Sequence, residues 1–197
     1  VVIMTNPLDN ILKYIEDNES IVYPTSTLPA LGCKPQEIAL DRLFEIKNRS
    51  ENLPVSLAVL DLEQVSEIVI CNKLATEIID YFPKGSLTLL LPAKNTLDKR
   101  LGGNWVGIRP VVDKRARKLI SASGPITATS ANKSGKKPQK DCEKAAKDLK
   151  LHDDQFISGV TKGGAPSTLV KVDTKVTVMR EGIISKKEVV AWSKKMI

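Results

Sequence analysis

Residues 125–135 read Pro-Ile-Thr-Ala-Thr-Ser-Ala-Asn-Lys-Ser-Gly, a short β-branched run that ends in small polar residues and a glycine. Such a change is typical of a buried strand that ends in a ligand-binding loop. Hydroxyl groups and an Asn amide offer donors and acceptors without bulk or charge, which suits a nucleotide or an amino acid. The alternative is a strand followed by an ordinary turn, because turn residues cluster at many strand ends. This stretch alone leaves both interpretations open.

Strand-like and helix-like segments alternate along the rest of the chain. Helical spacing of apolar residues predicts helices over 37–47, 62–69, 72–82, 113–121 and 141–149. Short apolar runs predict strands over 21–23, 54–60, 87–91, 106–108 and 126–129, and a hairpin from 167–172 and 175–179. The alternation predicts an α/β fold, and the hairpin makes the sheet mixed rather than purely parallel. We therefore expect an open, twisted, mixed sheet with flanking helices.

A further helix is expected to begin at Asn6-Pro7-Leu8-Asp9, with Asn6 as its cap. Ile11, Leu12 and Ile15 would form its apolar stripe. The chain has 197 residues, which is enough to bury a full hydrophobic core, and it contains no repeat or low-complexity linker. The sequence therefore predicts a single domain over 1–197.

The charge of the chain is strongly positive. The formal net charge is +7, which favours anionic partners such as ATP, bicarbonate or RNA. A lysine-rich surface that serves solubility is the alternative. Charge therefore indicates a class of ligand without choosing among its members.

Cysteine and histidine usage excludes several chemistries. Cys33, Cys71 and Cys142 are far apart and form no CxxC pair, so neither a zinc site nor a disulfide framework is expected. The one histidine, His152, lies in a polar run that predicts a surface loop. We therefore expect neither a Ser-His-Asp nor a Cys-His mechanism. A histidine-ligated catalytic metal is excluded, and we expect no metal site built by the protein.

The sequence contains no apolar run of membrane-spanning length, and Asp9 interrupts the region where a signal peptide would be apolar. A cytoplasmic protein without a membrane partner is therefore expected.

Six motifs occur in a fixed order along the chain. They are YPTST at 23–27, KNR at 47–49, VGIRP at 106–110, TATSANKSG at 127–135, PSTLV at 166–170 and MREG at 179–182. In this order they resemble the YrdC/TsaC family, which makes threonylcarbamoyl-adenylate from threonine, bicarbonate and ATP. The resemblance runs from Ile21 to Gly182. The chain differs from the usual family pattern at Ser26, Pro29-Ala30, Ser50 and 84–86, and these departures bear on the shape of the threonine pocket.

The resemblance implies roles for individual residues. The residues implied in ATP binding are Lys47, Arg49, Ser130, Asn132 and Arg180. Those implied in threonine binding are Thr25, Thr27, Arg109 and Ser167, with Thr88 and Thr129 as candidate supporting hydroxyls. A buried Thr also commonly satisfies its own backbone, so the last two stay open. We expect one basic concave cleft lined by Lys47, Arg49, Arg109, Asn132 and Arg180.

The residue types suit an adenylation reaction. Arg109 could hold both oxygens of a carboxylate in a bidentate contact. Lys47 and Arg49 are the candidate catalytic pair, because they could stabilise the charge that develops as pyrophosphate leaves. As exposed cations they should matter little for stability; the alternative is a pair of solvated charges at a helix end. No carboxylate in the motifs resembles a general base, so we expect catalysis by proximity, with Mg²⁺ carried by ATP.

Two alternatives remain at this stage. One is a module of the same fold that binds double-stranded RNA or tRNA through the basic cleft. The other is carbamoyl transfer by a related domain of hydrogenase maturation factors, which is normally accompanied by zinc-finger cysteines. If the synthase interpretation holds, tRNA contact and a downstream tRNA threonylcarbamoyl-transfer machinery are the expected partners.

Overall fold

A computed structural model describes residues 7–195 and contains one eight-stranded sheet. The strands are β1 (Ile21–Tyr23), β2 (Ala30–Gly32), β3 (Ser56–Val59), β4 (Leu87–Pro92), β5 (Trp105–Pro110), β6 (Ile126–Ser130), β7 (Thr168–Val172) and β8 (Val176–Arg180). Their order across the sheet is β1-β2-β6-β3-β5-β4-β7-β8. The pairs β3/β5 and β4/β7 are parallel and the other neighbours are antiparallel. The prediction of a mixed α/β sheet is confirmed.

Helices flank the sheet on both faces. They are α1 (Pro7–Glu16), α2 (Glu37–Lys47), α3 (Lys73–Tyr81), α4 (Lys114–Ser123), α5 (Cys142–Asp148) and α6 (Lys186–Ser193), with 3₁₀ turns at Glu63–Val65 and Lys99–Leu101. In β3, Leu57 and Val59 join the core shared by α2, α3, α5 and α6, whereas Ala58 joins the core shared by α1 and α4. Because side chains alternate along a strand, these two cores lie on opposite faces. Within residues 7–195, no helix has the length and apolar character to cross a membrane.

The end of α2 separates Lys47 from Arg49. Asn48 adopts a left-handed conformation with φ of 48°, which Asn tolerates better than most residues. The backbone N–H of Arg49 then donates to the carbonyl of Phe44 at 2.9 Å, as in a Schellman cap. The chain turns between these two cations, so they do not continue along one helix face.

The helix predicted over 62–69 is wrong. It is reduced to the turn at Glu63–Val65 because Ile68 and Ile70 pair instead with the end of β4: the N–H of Lys94 donates to Ile68 at 2.8 Å, and the N–H of Ile70 donates to Pro92 at 2.8 Å. Tertiary strand pairing outweighs the local helical pattern here.

Two elements were not predicted. The strand β2 has three residues and directly follows Pro29, so it carries no readable periodicity. The helix α6 did have a sequence signal, because Ser185 and Glu188 form a capping box. The other predicted strands and helices form within a few residues of their expected bounds. Asn6, the expected cap of α1, lies outside the described residues.

Candidate functional site

A polar cleft crosses one side of the sheet. It collects the loop after β1, the starts of β3, β4 and β7, and the ends of β5, β6 and β8. Its lining includes Thr27, Pro29, Arg49, Ser56, Thr88, Arg109, Thr129, Ser130, Ser167 and Arg180. The space that a water molecule can reach inside it is about 150 Å³. This volume covers the whole cleft and is below the roughly 300 Å³ at which sites for drug-sized ligands begin. The buried Thr27, Thr88 and Ser167 line its closed part.

Arg109 forms the floor of the closed part of the cleft. One of its terminal nitrogens donates to Thr27 Oγ1 at 2.8 Å and to Thr25 Oγ1 at 3.3 Å. Its Nε atom is buried without a hydrogen-bond partner among the described residues. Burial lowers the pKa of Arg109, and the nearby charge of Arg180 lowers it further. A guanidinium in this condition is poised to bind a carboxylate, because an ion pair would recover the lost solvation.

The loop that carries Thr25 and Thr27, beside Arg109, is held by hydrogen bonds within itself. Thr25 donates to the carbonyl of Leu28 at 2.7 Å and accepts from the backbone N–H of Thr27 at 3.2 Å. Both threonines are buried, but only Thr27 lines the cleft. Thr25 therefore lies behind Thr27 and orients the arginine, instead of facing a ligand.

A second hydroxyl pair lies across the cleft. The hydroxyls of Thr88 and Ser167 are 2.7 Å apart, and both residues are buried. They meet because β4 and β7 are parallel neighbours, with Leu87 opposite Thr168. Thr88, whose role the sequence left open, thus lies in the cleft wall, and its hydroxyl is bonded to that of Ser167.

Two more guanidiniums lie at the rim. Arg49 donates to the carbonyls of Leu53 at 2.7 Å and Pro54 at 3.1 Å, and Arg180 donates to the carbonyl of Ser167 at 3.0 Å. Burial lowers the pKa of each, and Arg180 lowers that of Arg49 further. Neither of them, nor Arg109, forms an ion pair within residues 7–195. Three unpaired guanidiniums in one cleft favour a ligand with several negative charges.

Lys47 is not an exposed cation, and that prediction is wrong. Its side chain turns into the protein, and only 1% of the residue is exposed. The ammonium donates to the carbonyl of Ser130 and, at 2.6 Å, to that of Asn132. Burial lowers the pKa of Lys47 to about 7, with a further contribution from Arg49; the two carbonyls act in the opposite direction because they favour the charged form.

Asn132 also lies outside the cleft lining. Its Nδ2 donates to the carbonyls of Lys133 at 3.0 Å and Lys136 at 2.6 Å, and its Oδ1 is buried without a partner among the described residues. The cleft therefore brings together Arg49, Arg109 and Arg180. The expectation that Lys47 and Asn132 line it as well is wrong, because both side chains support the loop after β6.

Ser56 is a cleft residue that the sequence analysis missed. It lies at the start of β3, and a Cβ at position 107 would come within 2.5 Å of its hydroxyl oxygen. Gly107 in the VGIRP motif therefore gives Ser56 its space. A glycine inside a predicted strand was the available signal, since it marks a close approach by a neighbour.

Metal ligands do not cluster in the part of the chain that the structure describes: no three His, Cys, Asp or Glu side chains there come together. Cys33 and Cys142 are buried and Cys71 is exposed, each as a free thiol. His152 is exposed.

The sequence and the fold match known proteins over most of the chain. A family model named Sua5/YciO/YrdC, with the description Telomere recombination, matches residues 13–182. A putative threonylcarbamoyl-AMP synthase of Methanocaldococcus jannaschii is 32% identical over 180 residues, which are 90% of this chain and 86% of the relative. The threonylcarbamoyl-AMP synthase of Bacillus subtilis is 32% identical over 189 residues, which are 90% of this chain and 54% of the relative.

Among solved structures, the crystal structure of P. abyssi Sua5 complexed with L-threonine has a TM-score of 0.83 at 27% identity. The match covers 93% of this chain and 56% of that one. The chain thus spans a little over half the length of the Bacillus and P. abyssi proteins. The expected fold class is confirmed by this match.

Proposed function

Because this chain belongs to the Sua5/YciO/YrdC family, we propose that it is a threonylcarbamoyl-AMP synthase. The reaction joins L-threonine, bicarbonate and ATP and releases pyrophosphate, so the enzyme is a nucleotidyltransferase. One observation carries the proposal: a small hydroxyl-lined pocket with Arg109 at its floor opens onto a rim with Arg49 and Arg180. A carboxylate fits the floor and a triphosphate fits the rim.

The closed part of the cleft is assigned to threonine. The guanidinium of Arg109 takes the carboxylate in a charge-assisted contact. Thr27, Thr88 and Ser167 line the same pocket, where the hydroxyls of Thr88 and Ser167 are bonded to each other, and Thr25 lies behind Thr27. In this assignment these hydroxyls meet the amine or the side-chain hydroxyl of the substrate.

The rim is assigned to ATP. Arg49 and Arg180 hold the phosphates, and Ser130, with Thr129 beside it, lines the wall where β6 ends. Magnesium arrives with ATP and is held mainly by phosphates and water. The two arginines stabilise the negative charge that develops as pyrophosphate leaves, which makes them the catalytic groups of this site.

The chemistry needs no protein base in this scheme. The amine nitrogen of threonine adds to the carbon of bicarbonate, water leaves, and a carbamate forms. A carbamate oxygen then attacks the α-phosphorus, and pyrophosphate departs with the electron pair of the broken P–O bond. The cleft contributes by holding the reactants together, an effect that can supply roughly 7 to 11 kcal/mol.

We further propose that the product serves tRNA threonylcarbamoyladenosine modification and that the enzyme works in the cytoplasm with a downstream threonylcarbamoyl-transfer machinery. Direct contact with tRNA is part of the proposal. Lys136, Lys137 and Lys140 are exposed and follow the loop after β6, so they extend the positive charge of the rim outward. Phosphates of an RNA would be attracted to such a surface.

Pyrophosphate release tests the proposal against both alternatives. The protein is incubated with ATP, bicarbonate and each of a panel of amino acids, and in parallel with ATP and carbamoyl phosphate. A synthase releases pyrophosphate only with bicarbonate and a small hydroxyl amino acid. Release with carbamoyl phosphate alone would identify a carbamoyltransferase, and salt-sensitive RNA binding without any release would identify a binding module.

A further inference from the structure

Lys47 is the anchor of the loop that follows β6. Its ammonium donates to the carbonyls of Ser130 and Asn132, and its own carbonyl accepts from the backbone N–H of Ser134 at 2.9 Å. One residue at the end of α2 thus makes three hydrogen bonds to residues 130–134.

The rest of this loop is bound mainly to itself. Asn132 N–H donates to Ser130, Lys136 N–H donates to Lys133, and the amide of Asn132 bonds two carbonyls of the same loop. Ala131 is still tied to Pro29 at 2.9 Å. In residues 132–134, every hydrogen bond to another part of the described chain is made with Lys47. Its ammonium donates to Asn132, and its carbonyl accepts from Ser134.

We propose that Lys47 is a positioning residue, which holds the 130–134 loop in the shape that ATP requires, and that it makes no contact with the phosphates. That ATP is the ligand rests on the proposed function, whereas the anchoring of the loop is a property of the free protein. The two cations of the KNR motif then have different roles. Arg49 faces the cleft, and Lys47 supports the cleft wall from behind.

The chemistry of the anchor explains why a lysine stands there. The partners are two backbone carbonyls, which need N–H donors and offer none, and an ammonium supplies three donors at the end of a flexible stem. A methionine at position 47 has similar length but leaves both carbonyls without that donor, and a buried acceptor without a partner is costly. A glutamine restores a neutral amide, whose two N–H donors sit on a shorter stem.

Hydrogen exchange of the ligand-free protein, measured by NMR, tests the anchoring directly. In Lys47→Met the amide of Ser134 should exchange about ten times faster or more, since the loop opens locally. Lys47→Gln should lie between that variant and the native protein. The matched control is Lys133→Met, which removes an exposed lysine from the same loop and should leave the Ser134 rate within about twofold.

The same spectra report amides of β4 and β5, away from the loop. The exchange rates of these amides should stay unchanged in Lys47→Met and in Lys47→Gln. An equal increase at β4, β5 and Ser134 would show that Lys47 supports the whole fold and would overturn the proposal. An unchanged Ser134 rate in Lys47→Met would overturn it as well, because the loop would then hold its shape without the ammonium.

Kinetics of pyrophosphate release separate positioning from direct phosphate contact. In Lys47→Gln we expect KM for ATP to rise about tenfold while KM for threonine stays within about twofold. The contradicting result is a lower kcat while KM for ATP and the exchange rate at Ser134 both stay native. Lys47 would then stabilise the transition state directly and would not position the loop. If the native protein releases no pyrophosphate, the proposed function fails, and the exchange experiment still decides the anchoring.

Discussion

The two ends of the cleft differ in how they are prepared for a ligand. At the closed end, Thr25, Thr27, Thr88 and Ser167 are buried, and their hydroxyls form two bonded pairs, Thr25 with Thr27 and Thr88 with Ser167, so the pocket is organised before anything binds. At the rim, the guanidiniums rest on backbone carbonyls, and the loop after β6 depends on Lys47. The closed end is therefore suited to selecting a substrate, whereas the rim supplies charge.

The largest expected effect concerns selection at the closed end. Replacing threonine by valine removes the hydroxyl and leaves polar groups of the pocket without a partner, a penalty that can reach roughly 10⁴-fold in kcat/KM. Serine lacks only a methyl group, which is worth about 1 to 3 kcal/mol. Competition assays on pyrophosphate release measure both. Equal competition by valine and serine would mean that the pocket does not recognise the hydroxyl, and would direct attention to Ser26 and Pro29-Ala30.

Removal of Arg109 should come next in size. Arg109→Ala leaves the threonine carboxylate without its partner, a loss of roughly 2 to 5 kcal/mol, or on the order of a thousandfold in kcat/KM for threonine. KM for ATP should change much less. Arg109→Met serves as the folding control: it removes a charge that has no counter-ion in the described structure, so the melting temperature should hold or rise. A fall in melting temperature would make Arg109 a structural residue.

Substitution at the rim should act on ATP with a smaller loss. Arg49→Ala or Arg180→Ala should lower kcat/KM for ATP about a hundredfold, the lower part of the range for a lost electrostatic donor. Arg49 is half-buried and Arg180 is exposed, so the melting temperature of each variant should change little. A larger effect on threonine than on ATP would reverse the assignment of the two ends.

The smallest expected effect is the pH dependence of stability at Lys47. Its pKa is about 7 in the folded protein against an ordinary 10.5, so the unfolded chain binds the extra proton between these values. The free energy of unfolding of the native protein, relative to Lys47→Met, should therefore rise with pH above about 7, by at most about 1.4 kcal/mol per pH unit. Urea titrations at pH 7, 8 and 9 measure this difference. A flat or falling difference would show that the carbonyl bonds keep the ammonium fully charged.

Much of the architecture follows from local sequence signals, and the exceptions have physical causes. Periodicity predicts α2 to its last residue, yet it cannot show that Asn48 turns the chain so that Lys47 is buried and Arg49 faces the cleft. The helix expected at 62–69 fails because Ile68 and Ile70 pair with the end of β4, a long-range contact.

The residues of the site could also be predicted only in part. The motifs predicted a shared site for Arg49, Arg109, Ser167 and Arg180, and these residues do line one cleft. Motif order alone says nothing of which side chain faces inward, so Asn132 was assigned to the lining although it braces its own loop. Ser56 was missed because the available signal, Gly107, lies in another strand and does not show which neighbour approaches it.

Identification of the product tests the central claim most directly. The protein is incubated with ATP, L-threonine and ¹³C-bicarbonate, and the nucleotide products are analysed by mass spectrometry. We predict an adenylate that contains both threonine and the labelled carbon, formed together with an equal amount of pyrophosphate and absent when any one substrate is omitted. An adenylate without the labelled carbon, or pyrophosphate release that does not require threonine, would contradict the account.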